Sequence, residues 1–483
     1  MTIETGLETA AGWQLRGAIV NRKISAVETT RFFLDRITAV DSEIHSFITV
    51  AAEPALRQAA DIDRRIGRGE QVGALAGIPV SIKDQFWTKG IRTTGGSSVF
   101  RDYVPIEDSI HVARIKAADG IVIGKTNTPE FGMYWRTVGS VAPECVNPWD
   151  ISRTSGGSSG GAAASIAAGM GPLALGSDSG GSIRLPSAMC GVVGLVPSHG
   201  RVPRSGGFGS EMLLSTVGPL ASNVRDAATL LQLFAEPADV DPFCRRDPAP
   251  DYLATLEDCI DGLSLAWWNY EAISERVSRD VVETARTAAL RLAGHGARMA
   301  PEPVTLDTEG VDDAWQVLDF VDAFASRGER LCADPATRDL LTPYVKTRFA
   351  DAAKVTGAMY SRAVRRRAVF IREMERVFAD CDLLLSPTLG VPAPAIDPND
   401  ITQRIPAIVA YTLPVNFAGY TAATVPCGFV DGLPVGLQII GRPNEEALVL
   451  RACRAFERAL PWKQIRPALH PPGDQNGELR KSI

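Results

Sequence analysis

Two serine clusters punctuated by glycine stand close together in the chain, Gly156-Gly157-Ser158-Ser159-Gly160-Gly161 and Gly176-Ser177-Asp178-Ser179-Gly180-Gly181-Ser182. Glycine beside serine opens backbone conformations closed to other residues and lets a reacting group approach main-chain N–H donors. A nucleophile next to an oxyanion hole needs that combination. A serine hydroxyl is a poor nucleophile at neutral pH unless a base removes its proton. Upstream, Gly77 to Lys83 reads as a short apolar strand with a lysine at its end. A lysine desolvated by apolar walls has a depressed pKa and can serve as a neutral base near pH 7.

Other readings compete. Gly156-Gly-Ser158-Ser-Gly160 and Gly157-Ser-Ser159-Gly-Gly161 both fit the G-x-S-x-G elbow of α/β-hydrolases. That elbow needs a histidine base, and none of His45, His111, His199, His295 and His470 follows an acid in the required late context. A flexible Gly/Ser linker is the other option. Against it, the clusters flank the helix-forming run Ala162 to Ala168 and the apolar Leu173 to Leu175, so the glycines punctuate packed elements.

With Lys83 as base, the residues resemble the amidase signature family, whose members use a Ser-Ser-Lys triad. Lys83 precedes Ser158 by 75 residues and Ser158 precedes Ser182 by 24, intervals found in that family. Gly124 to Gly132, Asn147 to Asp150, Cys190 to Pro197, Gly200 to Pro203, Val425 to Gly428 and Gly432 to Gln438 are similar to family landmarks in family order. The resemblance implies an α/β fold, a single large mixed twisted sheet between helical layers. It implies Ser182 as nucleophile, Ser158 as proton relay after a cis Gly157–Ser158 peptide, and Lys83 as base. The N–H groups of Ser179, Gly180, Gly181 and Ser182 would form the oxyanion hole. Ser159 is the alternative relay, and Asp178 with Arg184 is expected to brace the turn as an ion pair. Gly132, Met133 and Trp135 follow the Asn127/Glu130 landmark and are candidate substrate contacts.

The implied reaction is hydrolysis of a carboxylic amide through an acyl-serine, with no metal or organic cofactor. The partner expected is a small-molecule amide, apolar or aryl, with a homodimer left open. The alternative is the glutaminase subunit of a tRNA-dependent amidotransferase, which works with a partner protein. Glutamine users carry an acid before the Thr of the block that here reads Ile408 to Gly419, and Val409 stands at that position. A silent scaffold is the rival from another class; it would have no reason to keep Lys83, Ser158 and Ser182 together.

The elements that must position these groups follow from composition and pattern. The 483 residues are 45% hydrophobic and 22% charged, enough for a large core. A net charge of −6 gives no electrostatic reason to expect nucleic acid or an anionic membrane. The eight cysteines lack C-x-x-C spacing, so neither zinc nor a disulfide framework is indicated. Signal-peptide features and long apolar runs are missing, and the expected location is the cytoplasm. Residues 1–70 read as helices packed on the core, with a capping box at Ser25 to Glu28. Residues 71–235 hold the signature core, 236–465 complete the same α/β unit and cover the pocket, and 466–483 form a loose tail. Gly120 to Thr126 has one residue too few for a phosphate loop. The basic run Arg362 to Arg367 reads as a solvated helix face. Helices are expected over Ser278 to Leu292, Val311 to Arg327, Ser361 to Phe378 and Glu445 to Leu460. Strands are expected at Leu263 to Trp268, Asp382 to Pro387, Thr421 to Phe429 and Val435 to Ile440.

Overall fold

Short β-branched and apolar runs between helical segments build one sheet. The computed structural model describes residues 6–209, 213–269, 277–397, 406–460, 462 and 466–469. Its strands are β1 (Phe47–Val50), β2 (Pro79–Lys83), β3 (Ile121–Thr126), β4 (Val146–Asn147), β5 (Asp150–Thr154), β6 (Leu173–Asp178) and β7 (Val193–Val196). They continue with β8 (Thr216–Ala221), β9 (Ser264–Trp267), β10 (Arg298–Met299), β11 (Leu383–Pro387), β12 (Thr421–Val430) and β13 (Leu433–Gly441). Among the described residues, β4 and β5 make a separate hairpin and the other strands form an 11-stranded mixed sheet in the order β1-β3-β2-β6-β8-β7-β12-β13-β11-β9-β10. This is the expected α/β architecture.

Both faces of the sheet are covered, as the near-continuous apolar runs of its inner strands require. Alternate residues take opposite sides. Val80, Ile82, Leu173 and Leu175 pack with the helices Val224–Phe234, Arg279–Ala293 and Glu446–Ala459. Ile121, Ile123 and Ala174 pack with Ala26–Ile44, Ala52–Gly67 and the alanine-rich Gly160–Ala167. Farther along that second face, Ala266, Leu384 and Ile440 meet Val311–Ala323 and Gly357–Val377. Ser25 caps Ala26–Ile44 as expected: its hydroxyl accepts from the Glu28 N–H, and Glu28 accepts from the Ser25 N–H.

Several expectations need correction. The first 70 residues are not all helical. Phe47–Val50 is a β-branched run that pairs antiparallel with the free edge of β3. The hairpin β4–β5 and the strands β7 and β8 lie where none was expected. The helix from Val311 runs beyond the expected Arg327: after Ala323 a wide π turn, Phe324–Gly328, leads with helical dihedrals into Glu329–Ala333. The run Arg362 to Arg367 is only partly solvated. Arg366 donates to the carbonyls of Asp307 and Glu309, and Arg367 Nε donates to that of Phe417 at 2.7 Å. Ile121 to Ile123, in the stretch rejected as a phosphate loop, needs no correction: its apolar run lies in the buried strand β3. Most of the expected loose tail lies outside the described residues.

Candidate active site

Parallel pairing brings the first groups together. β2 and β6 are neighbours in the register Val80–Leu173, Ser81–Ala174, Ile82–Leu175. Their carboxyl ends therefore leave the sheet on the same side, where open α/β sheets place their ligands. Lys83 ends β2 and is fully buried. Its Nζ donates to Ser158 Oγ at 2.7 Å and to Ser177 Oγ, on β6, at 2.9 Å. Ser158 follows a cis Gly157–Ser158 peptide and lies just before the helix Gly160–Ala167. The adjacent Ser159 turns elsewhere: its hydroxyl donates to the Ser177 carbonyl at 3.3 Å, and its N–H to the Ser182 carbonyl at 3.1 Å. That last bond ties the two serine clusters together, and the lysine faces Ser158.

Ser182 sits in the turn between β6 and the helix Arg184–Cys190. Asp178, fully buried, organises that turn. Its carboxylate accepts from the Gly181 N–H at 2.6 Å, the Ile183 N–H at 3.0 Å and the Arg184 guanidinium at 3.1 Å. Burial works to raise this carboxyl, but Arg184 and the N–H donors outweigh it and hold the group below its ordinary value. Arg184 in turn donates to Gln438 Oε1 at 2.7 Å and to Asn416 Oδ1. Gly181 needs its φ of +132°, and a Cβ there would meet Thr412 Oγ1 at 2.4 Å.

The carbonyls of the turn are held from the later half of the chain. Asn416 Nδ2 donates to the Asp178 carbonyl at 3.1 Å, Trp315 Nε1 to that of Ser179 at 2.7 Å, and Thr412 Oγ1 to that of Gly180 at 2.9 Å. A trans peptide sets each C=O opposite the next N–H, so these bonds fix the directions of the Ser179, Gly180 and Gly181 N–H groups. Of the four N–H groups expected to meet an oxyanion, that of Gly181 is already given to Asp178.

Ser182, Ser179, Gly180 and Gly157 open on a cavity of about 580 Å³. The expected Gly132, Met133 and Trp135 line it, together with Trp315, Phe320, Val409 and Leu413. The wall is braced from behind by Glu130. This buried carboxyl accepts from Ser97 Oγ at 2.5 Å and from the Thr342 N–H at 2.7 Å, and burial raises its pKa. Charged groups also reach the cavity. Asp312, Asp313, Asp319 and Asp351 are among its lining, as is Arg348, whose guanidinium lies 4.9 Å over the Phe320 ring.

Sequence reasoning misses Ser177, Gln85, Trp315, Thr412, Asn416 and Gln438. Ser177 stands inside the second serine cluster, Thr412 and Asn416 stand in the block that carries Val409, and Gln438 ends the landmark Gly432 to Gln438, so membership of those motifs is the signal that points to these four. Among the described residues, no His/Cys/Asp/Glu group could hold a metal ion, and no helix is long and apolar enough to cross a membrane.

The Amidase family profile matches residues 28–450. The chain belongs to the amidase signature family. It is similar to the glutamyl-tRNA(Gln) amidotransferase A protein of Thermosynechococcus vestitus, 36% identical over 94% of this chain and 99% of that one. Among solved structures it resembles a bacterial aryl acylamidase of the amidase signature enzymes, at 29% identity and a TM-score of 0.87, covering 95% of this chain and 98% of that one. It also resembles an inhibitor-bound member of a vestigial complex tied to the origins of an s-triazine catabolic enzyme. There the identity is 30% and the TM-score 0.87, over 95% of this chain and 99% of the other. Amidase signature enzymes act on amide C–N bonds, and this chain is an enzyme of that class.

Proposed function

We propose that the enzyme hydrolyses a neutral carboxylic amide with an apolar or aryl substituent, giving the acid and ammonia or an amine. The observation that carries this reading is the cavity at Ser182, whose walls include Met133, Trp135, Trp315, Phe320 and Val409. Apolar, aromatic walls with a few placed polar groups are what such a ligand requires.

In the reaction, Ser182 Oγ bonds to the amide carbonyl carbon while its proton passes to Ser158 Oγ and the Ser158 proton passes to neutral Lys83. The Ser179, Gly180 and Ser182 N–H groups stabilise the oxyanion, a donor of this kind being worth roughly 3–4 kcal/mol. The proton returns through Ser158 to the leaving nitrogen as the C–N bond breaks. Water then attacks the acyl-serine by the same relay, releasing the acid and restoring the hydroxyl. The 2.7 Å contact between Lys83 and Ser158 supports proton exchange between the two groups.

A second reading is a glutaminase that works with a partner protein. The similarity to the amidotransferase A protein favours it, and Arg348 at the cavity offers a cation for a carboxylate. Val409, at the cavity wall where glutamine users carry an acid, favours the first. Release of ammonia and amine from a panel of glutamine, short aliphatic, aryl, peptide and urea-type amides separates the two. Hydrolysis of an apolar amide that disappears in Ser182→Ala is the expected result. Activity confined to glutamine would replace it with the second reading, and activity surviving in Ser182→Ala would remove the nucleophile assignment.

A further inference from the structure

We propose that Gln85 is a positioning residue that sets the polarity of the proton relay: it compels the Ser177 hydroxyl to accept from Lys83 and so reserves the amine's lone pair for Ser158. The inference rests on the reading of Lys83 as the base.

The direction of each bond follows from what its partners can do. The Phe131 carbonyl can only accept, so the group 2.8 Å from it on Gln85 is the Nε2 amide, which donates. That turns Gln85 Oε1 toward Ser177 Oγ at 2.9 Å. An amide oxygen also only accepts, so Ser177 gives Gln85 its single proton. Toward Lys83, also at 2.9 Å, the hydroxyl then has only lone pairs to offer. A neutral amine carries two N–H bonds and one lone pair. With one N–H directed to Ser177, the lone pair is available to the Ser158 proton across 2.7 Å. When Lys83 takes that proton, it donates to both serines without either having to turn. Removing the Gln85 oxygen would free the Ser177 hydroxyl to rotate and donate into the lone pair, in competition with Ser158.

Gln85 is held where this polarity cannot reverse. It lies buried in the turn after β2, and its own carbonyl accepts from the Phe208 N–H at 2.8 Å. Phe131 adopts φ +54° and Gly132 φ +72°, which aim the Phe131 carbonyl at the amide. A Cβ on Gly132 would stand 2.5 Å from Gln85 Nε2, so the turn closes tightly on it. Met133, the next residue, lines the cavity. One side chain thus joins the base to the substrate wall. The charged groups on the surrounding elements are committed elsewhere: Asp84 next to β2 with Lys125 on β3 at 3.7 Å, Asp178 with Arg184, and Glu130 with Ser97 and Thr342.

The test compares wild type, Gln85→Met, Gln85→Met/Ser177→Ala, Gln85→Glu and Ser182→Ala on the amide found by the substrate panel, with kcat and KM measured against pH. Gln85→Met is expected to lower kcat about tenfold with KM changed less than about twofold. Adding Ser177→Ala removes the rival proton donor and is expected to raise kcat again by about threefold or more; two merely structural defects would compound instead. Gln85→Glu places a negative charge beside the relay and is expected to move the acid limb of kcat/KM upward by about one pH unit. If Gln85→Met does not fold, Gln85→Leu, which also removes the accepting oxygen, takes its place in the same comparison. An inactive Ser182→Ala together with unchanged kcat in Gln85→Met, a double variant worse than the single, or an unmoved acid limb in Gln85→Glu would overturn the proposal alone. Full activity in Ser182→Ala would overturn the underlying reading and this inference with it.

Discussion

Asp178→Asn keeps the shape of the side chain that organises the turn carrying Ser182 and removes its charge. The Arg184 guanidinium, with no exposed surface, would then face a neutral amide. Removing one partner of a buried ion pair costs about 3–5 kcal/mol, because the remaining charge is left uncompensated. Unfolding entropy near 2.1 cal/mol/K per residue comes to ~1 kcal/mol/K for a chain of 483 residues, so the melting midpoint is expected to fall by about 3–5 °C. The sign with pH is set by the depressed carboxyl. Its stabilisation is complete above the unfolded value, near pH 4, and is lost as pH falls through the lower folded value. The gap between wild type and variant therefore narrows in acid. Activity is expected to fall as well, by about 10²–10³ in kcat, because the turn that presents the Ser179, Gly180 and Ser182 N–H groups loses the anion that gathers its Gly181 and Ile183 N–H groups. The double variant Asp178→Asn/Arg184→Met removes the stranded charge and is expected to recover most of the midpoint but not kcat. Scanning fluorimetry and ammonia release measure the two quantities. A midpoint within about 1 °C of wild type in Asp178→Asn, or full kcat in the double variant, would refute the reasoning.

Two further outcomes follow from the same geometry. Ser158→Ala is expected to lose at least about 10³ in kcat and Ser159→Ala less than about tenfold, since Lys83 meets the first hydroxyl at 2.7 Å while the second turns to the Ser177 carbonyl; the reverse order in steady-state kinetics would exchange their roles. His111 is fully buried with Nε2 2.7 Å from the Pro203 carbonyl, and desolvation lowers its pKa from 6.5 to about 4. The unfolded chain binds a proton below pH 6.5 that the folded chain refuses, so this residue's stabilisation is full above 6.5 and declines by about 3 kcal/mol toward pH 4. His111→Phe is expected to flatten urea-derived stability across that window, and an unchanged slope would count against it.

What can be read in the sequence is chemistry with local punctuation. Lys83 ends an apolar run, the two serine clusters are bracketed by glycine, and Asp178 and Arg184 flank Ser182 closely, so their types and spacing are visible without a fold. Gln85 is not, because an amide after a strand has no pattern of its own; its role depends on a Phe131 carbonyl delivered by a left-handed turn. The bonds made by Trp315, Asn416 and Gln438 are hidden for a related reason: each spans well over a hundred residues and exists only once the sheet has formed. The strand Phe47–Val50 escapes sequence reading because four residues between two helices carry a weak signal, and only the open edge of β3 makes them a strand. The π turn in the helix from Val311 escapes sequence reading because Phe324 to Arg327 contains no glycine or proline to mark it.

The clamps on the turn carrying Ser182 also impose an order on synthesis. Lys83, Ser158 and Ser182 have all left the ribosome while Gln438, 254 residues beyond the arginine it holds, has yet to be translated. At ~5–20 residues per second that delay is roughly 13–50 s. During this interval the turn that carries Ser182 has an arginine that has not met its glutamine, so the proposed site is complete only when β13 is in place.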